Sequence, residues 1–187
     1  TCLFLENATE QTREDFIIKS VKILPLLYLK ASLLEIPEPV FDDQPERFVT
    51  EEDYLYVKEQ VEQMLGADDS YLEVFHPDMA LSDTPIAAFV SENVADIYQE
   101  LKDFAANYQT VDTDIMNDAL VACLQGFADH WGQKLLNALR ALHAVRFSDS
   151  FVPEDNAEKV SGRSIDRNSF LGFLHDDEDE ELNDKFL

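Results

Sequence analysis

Residues 112–147 read DTDIMNDALVACLQGFADHWGQKLLNALRALHAVRF, and the fold class follows from this stretch. Ile115, Met116, Ala119, Leu120, Cys123, Leu124, Phe127, Trp131, Leu135, Leu136, Leu139, Leu142 and Val145 are too closely spaced for a helix lying on a surface. The polar residues Asp114, Asp118, Gln125, Asp129, Gln133, Asn137 and Arg140 recur at steps of three, four or seven, one line along a helix of 3.6 residues per turn. A helix with so narrow a polar seam is packed on several sides. Asp112 is placed to cap it, and Arg140, His143 and Arg146 suit its negative end. At 1.5 Å per residue the rod would run roughly 50 Å, the axis of a bundle. Gly126 and Gly132 are the expected bends or points of close helix approach.

Working outward, Thr12 ahead of Arg13, Glu14 and Asp15 signals a helix start, and Phe16, Ile17, Val21, Leu24, Leu27, Tyr28, Ala31 and Leu34 follow at helical spacing. Pro25 inside this run predicts a kink or two abutting helices, offset by burial of Leu24, Leu26, Leu27 and Leu29. Pro37, Pro39 and Pro45 mark an irregular connection. Thr50 and Asp53 form a capping box, with Val49 positioned to staple onto Tyr54. Tyr54, Val57, Val61 and Met64 give that helix a buried stripe, and Gly66 closes it. Residues 68–82 suggest at most one helical turn. Thr84 followed by Pro85 reads as a further helix start, with Ile86, Phe89, Val90, Val94, Ile97, Leu101, Phe104 and Tyr108 on one face. Leu3, Phe4 and Leu5 suggest that the chain opens inside a helix, and a removed leading segment is compatible with this.

The expected architecture is an all-α bundle of about five major helices, residues 1–147, followed by an acidic and partly irregular tail, residues 148–187. The 187 residues are 45% hydrophobic, enough for a proper core, and five glycines and seven prolines are few for a turn-rich β fold. There are 14 basic and 39 acidic residues, a net charge of −25. That balance argues against direct nucleic-acid binding and against an anionic membrane surface. It suits solubility, or attraction to a protein partner with a basic surface. Cys2 and Cys123 make no disulfide framework, and no stretch has the roughly 18 apolar residues of a membrane span. A cytoplasmic location is the expectation.

Few residues suggest chemistry. Glu92, Asp96, Glu100 and Asp103 share one helix flank; metal binding is one reading, but an exposed row needs no cation to persist, and a solvated row is the expectation. Glu73 and His76 form a single Glu-x-x-His spacing, of which di-iron bundles use two copies. His130 reads as a buried histidine bonded across the bundle, and adjacency to Asp129 does not pair them. No nucleophile elbow, phosphate loop, zinc-protease helix or Cys-x-x-Cys is present, so no catalytic residue, cofactor or metal ligand is assigned. In the tail, Phe170, Leu171, Phe173 and Leu174 precede seven acids between Asp176 and Asp184; they suit docking on this bundle's own apolar surface first, and second an apolar groove with a basic rim on another protein.

The runs Leu24-Pro25-Leu26-Leu27-Tyr28-Leu29-Lys30-Ala31 and Gln125 through Phe147, with Asp129-His130-Trp131-Gly132 inside it, resemble a family of bacterial helical proteins catalogued only as a domain of unknown function. The resemblance covers most of the bundle and implies an all-helical cytosolic protein, with no activity to carry over. The expected function is therefore a non-enzymatic interaction module, adaptor or chaperone-like. The alternative is a bundle that binds a metal or small molecule, possibly as an enzyme.

Overall fold

The computed structural model describes residues 1–73 and 86–151. Its helices are α1 (Cys2–Glu6), α2 (Arg13–Ser32), α3 (Glu51–Leu65), α4 (Val90–Tyr108), α5 (Thr113–Gly126) and α6 (Gly132–Arg146). One small antiparallel sheet pairs β1 (Ser70–Leu72) with β2 (Ala87–Phe89), Tyr71 opposite Ala88. The chain is a helical bundle with α2, α3, α4, α5 and α6 as its five long members.

The ends of these helices follow from local chemistry. Thr12 accepts from the Asp15 amide, Asp112 from those of Asp114 and Ile115, and Thr50 with Asp53 completes a reciprocal capping box. Gly66 ends α3 at φ 56°, a backbone position that L side chains rarely adopt. No side chain at the N-cap position serves α4. Instead buried Asp69 reaches across and accepts from both the amide and the hydroxyl of Ser91, each at 2.7 Å. A carboxylate thus meets the positive end of the helix dipole from another element.

Within the stretch 112–147 the chain is helical from Thr113 to Arg146 but is not one α-helix. Phe127–Trp131 forms a π-helical turn between α5 and α6, bounded by Gly126 and Gly132. The Gly132 amide donates to the Phe127 carbonyl, the five-residue step that defines such a turn. Trp131, only 1% exposed, fills the core behind it. Its ring centroid lies 4.7 Å from that of Phe127, and its indole N–H donates to the Cys123 carbonyl at 2.9 Å. Tyr28 of α2 meets Phe127 edge-on at 5.2 Å, which ties α2 to the same turn.

The core joins Phe16, Ile17 and Leu24 of α2, Val57, Val61 and Leu65 of α3, Val94 and Ile97 of α4, and Leu135, Ala138 and Leu142 of α6. The α3 stripe lies one position round from the expected one. Buried Gln60 and Leu65 stand beside Val57 and Val61, while Tyr54 and Met64 are only half-buried. Glu6 holds α1 down by accepting from Tyr98 and Lys102 of α4, and the Lys102 ammonium draws its carboxyl below the usual range.

Three expectations are corrected. Helix α2 continues through Pro25 as a single element rather than two abutting helices, and Leu26 and Leu29 are exposed rather than buried. Helix α4 begins at Val90 because Ala87–Phe89 pairs as a strand; Thr84 and Pro85 lie outside the described residues. After Leu65 comes a short 3-10 turn, Gly66–Asp69, and then β1.

Candidate functional site

Between α2 and α3 the chain has no regular structure, and its backbone groups need partners from elsewhere. Side chains of α4 and α5 supply them. Asp118 is buried and accepts from the amides of Val40 and Phe41, both at 2.7 Å. Asn117 donates to the Glu38 carbonyl and Asn107 to that of Glu46, each at 2.8 Å. Asp103 accepts from Phe48 and Val49 at 2.7 and 2.8 Å. Residues 36–49 thus form a proline-rich strap across α4 and α5. A cleft of about 270 Å³ beside it is lined by Phe41, Pro45, Phe48, Asn107, Ile115 and Asp118.

The amide bonds from Val40 and Phe41 hold the Asp118 carboxyl below its usual range, the Val40 bond having the larger effect. A lowered folded pKa stabilises above the unfolded value of about 3.9 and stops doing so as pH falls through the folded one. The strap is therefore expected to loosen only below about pH 4. At neutral pH, Asp118→Ala is expected to speed proteolytic cleavage within residues 36–48 by about tenfold or more, because local opening sets that rate. An unchanged cleavage rate would show that the strap is held by other contacts.

The carboxylate row on α4 is only partly exposed rather than a fully solvated row. Glu92 pairs with Lys58 at 3.1 Å, and Asp96 accepts from Tyr54 at 3.0 Å and meets Lys134 at 3.2 Å. Glu100 lies against Gly126, and Asp103 holds the strap. Helix α3, the strap and α6 thus supply structural partners to Glu92, Asp96 and Asp103, three of the four carboxylates. Glu73 accepts from Asn137 at 3.1 Å, while His76 lies outside the described residues. Among the described residues no three His, Cys, Asp or Glu side chains gather as a metal-binding group.

The remaining candidates disperse. His130 is exposed rather than buried, its Nε2 3.8 Å from Asp96. Asp129 and Arg140 are exposed, and His143 packs on Phe147 with ring centroids 4.6 Å apart. Burial pushes the Cys123 thiol up to about 12, which removes it as a nucleophile at neutral pH. Ser91 has a carboxylate partner in Asp69 but is fully buried, out of a substrate's reach. Phe170, Leu171, Phe173 and Leu174 lie outside the described residues.

What the sequence reading did not anticipate is the surface that precedes and includes the strap. Leu26, Leu29, Leu33, Leu34, Ile36, Val40 and Phe41 are between 49% and 73% exposed. Seven large apolar residues within one run of sixteen is a concentration that scattered surface leucines do not produce. Part of the signal is present as a leucine-rich run flanking Pro25, where Leu26 and Leu29 are expected in the core.

Residues 1–148 match the family model described as a domain of unknown function, DUF5063. The chain belongs to that family. It is similar to the crystal structure of protein BF1032 from Bacteroides fragilis, a structural genomics target, with 41% identity and a TM-score of 0.71. That match covers 81% of this chain and 89% of the other. No curated protein matches. Among the described residues no helix is long and apolar enough to cross a membrane.

Proposed function

We propose that this chain is a non-enzymatic protein-interaction module, an adaptor or chaperone-like bundle that offers apolar side chains to another protein. The observation that carries this reading is the exposed run from Leu26 to Phe41. A leucine taken from half exposure to burial contributes about 1–2 kcal/mol to association, so a few anchors of this kind are sufficient for a specific contact. Strap residues are held by side chains of two helices, which supports a preformed surface with little ordering cost on binding.

In the same reading the tail is a second element. Phe170, Leu171, Phe173 and Leu174 act as apolar anchors, and the acids that follow steer the segment to a partner with a basic surface. The metal- or small-molecule-binding alternative is the weaker one, because three of the four α4 carboxylates that suggested it are engaged in structure.

The test is affinity capture from a native extract with three folded proteins: the intact chain, Leu29→Ser with Leu33→Ser, and Phe170→Ala with Phe173→Ala. Proteins retained by the intact chain are expected to be lost from one or both variants by tenfold or more, as about 1.4 kcal/mol at an anchor implies. Identical retention by all three would overturn the proposal.

A further inference from the structure

The basic residues are not spread evenly over the bundle. Helices α2 and α6 pack against each other and together carry Arg13, Lys19, Lys22, Lys30, Lys134, Arg140 and Arg146, half of the chain's 14 basic residues. Of its 39 acidic residues they carry only Glu14 and Asp15, and α6 carries none. This pair of helices is therefore net positive in a chain of net charge −25.

On the outer side of α2 the charge and the apolar run coincide. Lys22, Leu26, Leu29 and Leu33 follow steps of four, three and four, which is one line along a helix. All four are exposed, as is Lys30 beside the line. Arg13 pairs with Asp68 and Glu14, Lys19 with Asp15, and Lys134 with Asp96. Lys22 and Lys30 have no ion-pair partner among the described residues. Two exposed ammonium groups thus accompany three exposed leucines, Lys22 ahead of Leu26 and Lys30 between Leu29 and Leu33.

From this we infer that the outer face of α2 docks an acidic amphipathic helix of a partner protein. The partner's apolar side lies on Leu26, Leu29 and Leu33, and its carboxylates meet Lys22 and Lys30. The inference rests on the reading of this chain as an interaction module and adds the partner's chemistry. A basic helix could use the same leucines only by bringing like charges together at both lysines. An anionic nucleic acid would match the lysines but leave the leucines in water.

The probes are two fluorescent peptides with leucines at the same helical spacing, one with glutamates and one with lysines at the remaining positions. Anisotropy is read with the full chain, with Lys22→Glu plus Lys30→Glu, with Leu29→Ser, and with Arg140→Glu on α6 as a single charge reversal outside α2 and the strap. The glutamate peptide is expected to bind the full chain and this control equally. Its affinity is expected to fall at least tenfold in each of the other two variants, and to fall with added salt. Equal affinity for all four proteins, no binding of the glutamate peptide, or a dimer of this chain dissolved by the lysine reversal would overturn the inference. If the inference fails while Leu29→Ser with Leu33→Ser still loses proteins from an extract, the interaction module stands and only its acidic partner class falls.

Discussion

Gly132→Ala is expected to destabilise the fold by about 2–3 kcal/mol, although alanine is the better helix former by about 1 kcal/mol. The reason is the π-helical turn. A Cβ at position 132 would lie 2.4 Å from the Phe127 carbonyl oxygen and 3.1 Å from the Phe127 ring. That carbonyl accepts the Gly132 amide and closes the turn, so it cannot retreat without breaking its own hydrogen bond. Gly126 gives an internal comparison. A Cβ there would meet the Glu100 carboxylate at 2.9 Å, the end of a flexible side chain that can swing away. Urea unfolding of the two variants is expected to lower the midpoint for Gly132→Ala and to leave Gly126→Ala within about 1 kcal/mol of the parent. Stabilisation by both substitutions would mean that the rod is an uninterrupted α-helix.

Trp131→Ala is expected to cost more, about 3–5 kcal/mol, the range for deleting a large buried aromatic side chain. Trp131 is the largest of the fully buried side chains and contacts the Phe127 ring, which in turn meets Tyr28 of α2. Its loss opens a cavity where α2 and both halves of the rod meet. Trp131→Phe retains much of the packing and removes the donor to the Cys123 carbonyl, which also accepts from the Phe127 amide. A cost of about 1–2 kcal/mol is expected for it. The chain has a single tryptophan, so far-UV circular dichroism rather than intrinsic fluorescence is the measurement that compares the three proteins.

The elements that could be read from the sequence are those whose causes lie within a few residues. Thr12, Thr50 with Asp53, Gly66 and Asp112 each act within three or four positions of themselves, and each is found in its expected role. The apolar density of 112–147 correctly marked the packed rod, and its two glycines marked the irregular turn. The extra residue of that turn was not legible, and it rotates the following faces by about 100° relative to an uninterrupted helix. The polar seam nevertheless holds beyond it, with Gln133 and Arg140 exposed and Asn137 half-buried; the residues that depart from expectation are Asp118, buried beneath the strap, and His130, exposed within the turn itself. The two three-residue strands are too short for a period of two to register, and Thr84-Pro85 imitates a helix start just ahead of β2. For the α4 carboxylates the difficulty was distance along the chain: Lys58, the strap and Lys134 lie more than 30 residues from the acids they satisfy. Leu26 and Leu29 were read as core because apolar composition predicts burial, an inference that fails where apolar residues remain on the surface.

The most direct test of the interaction reading is photo-crosslinking in the living cell of origin, with a photoreactive phenylalanine analogue at position 29 or 33 and, as control, at position 3. Leu3 is as exposed as Leu33, at 74% against 73%, but lies outside the apolar run. Discrete higher-mass adducts from positions 29 and 33, absent from position 3, are the predicted result. Adducts no more abundant at 29 and 33 than at 3 would contradict the account.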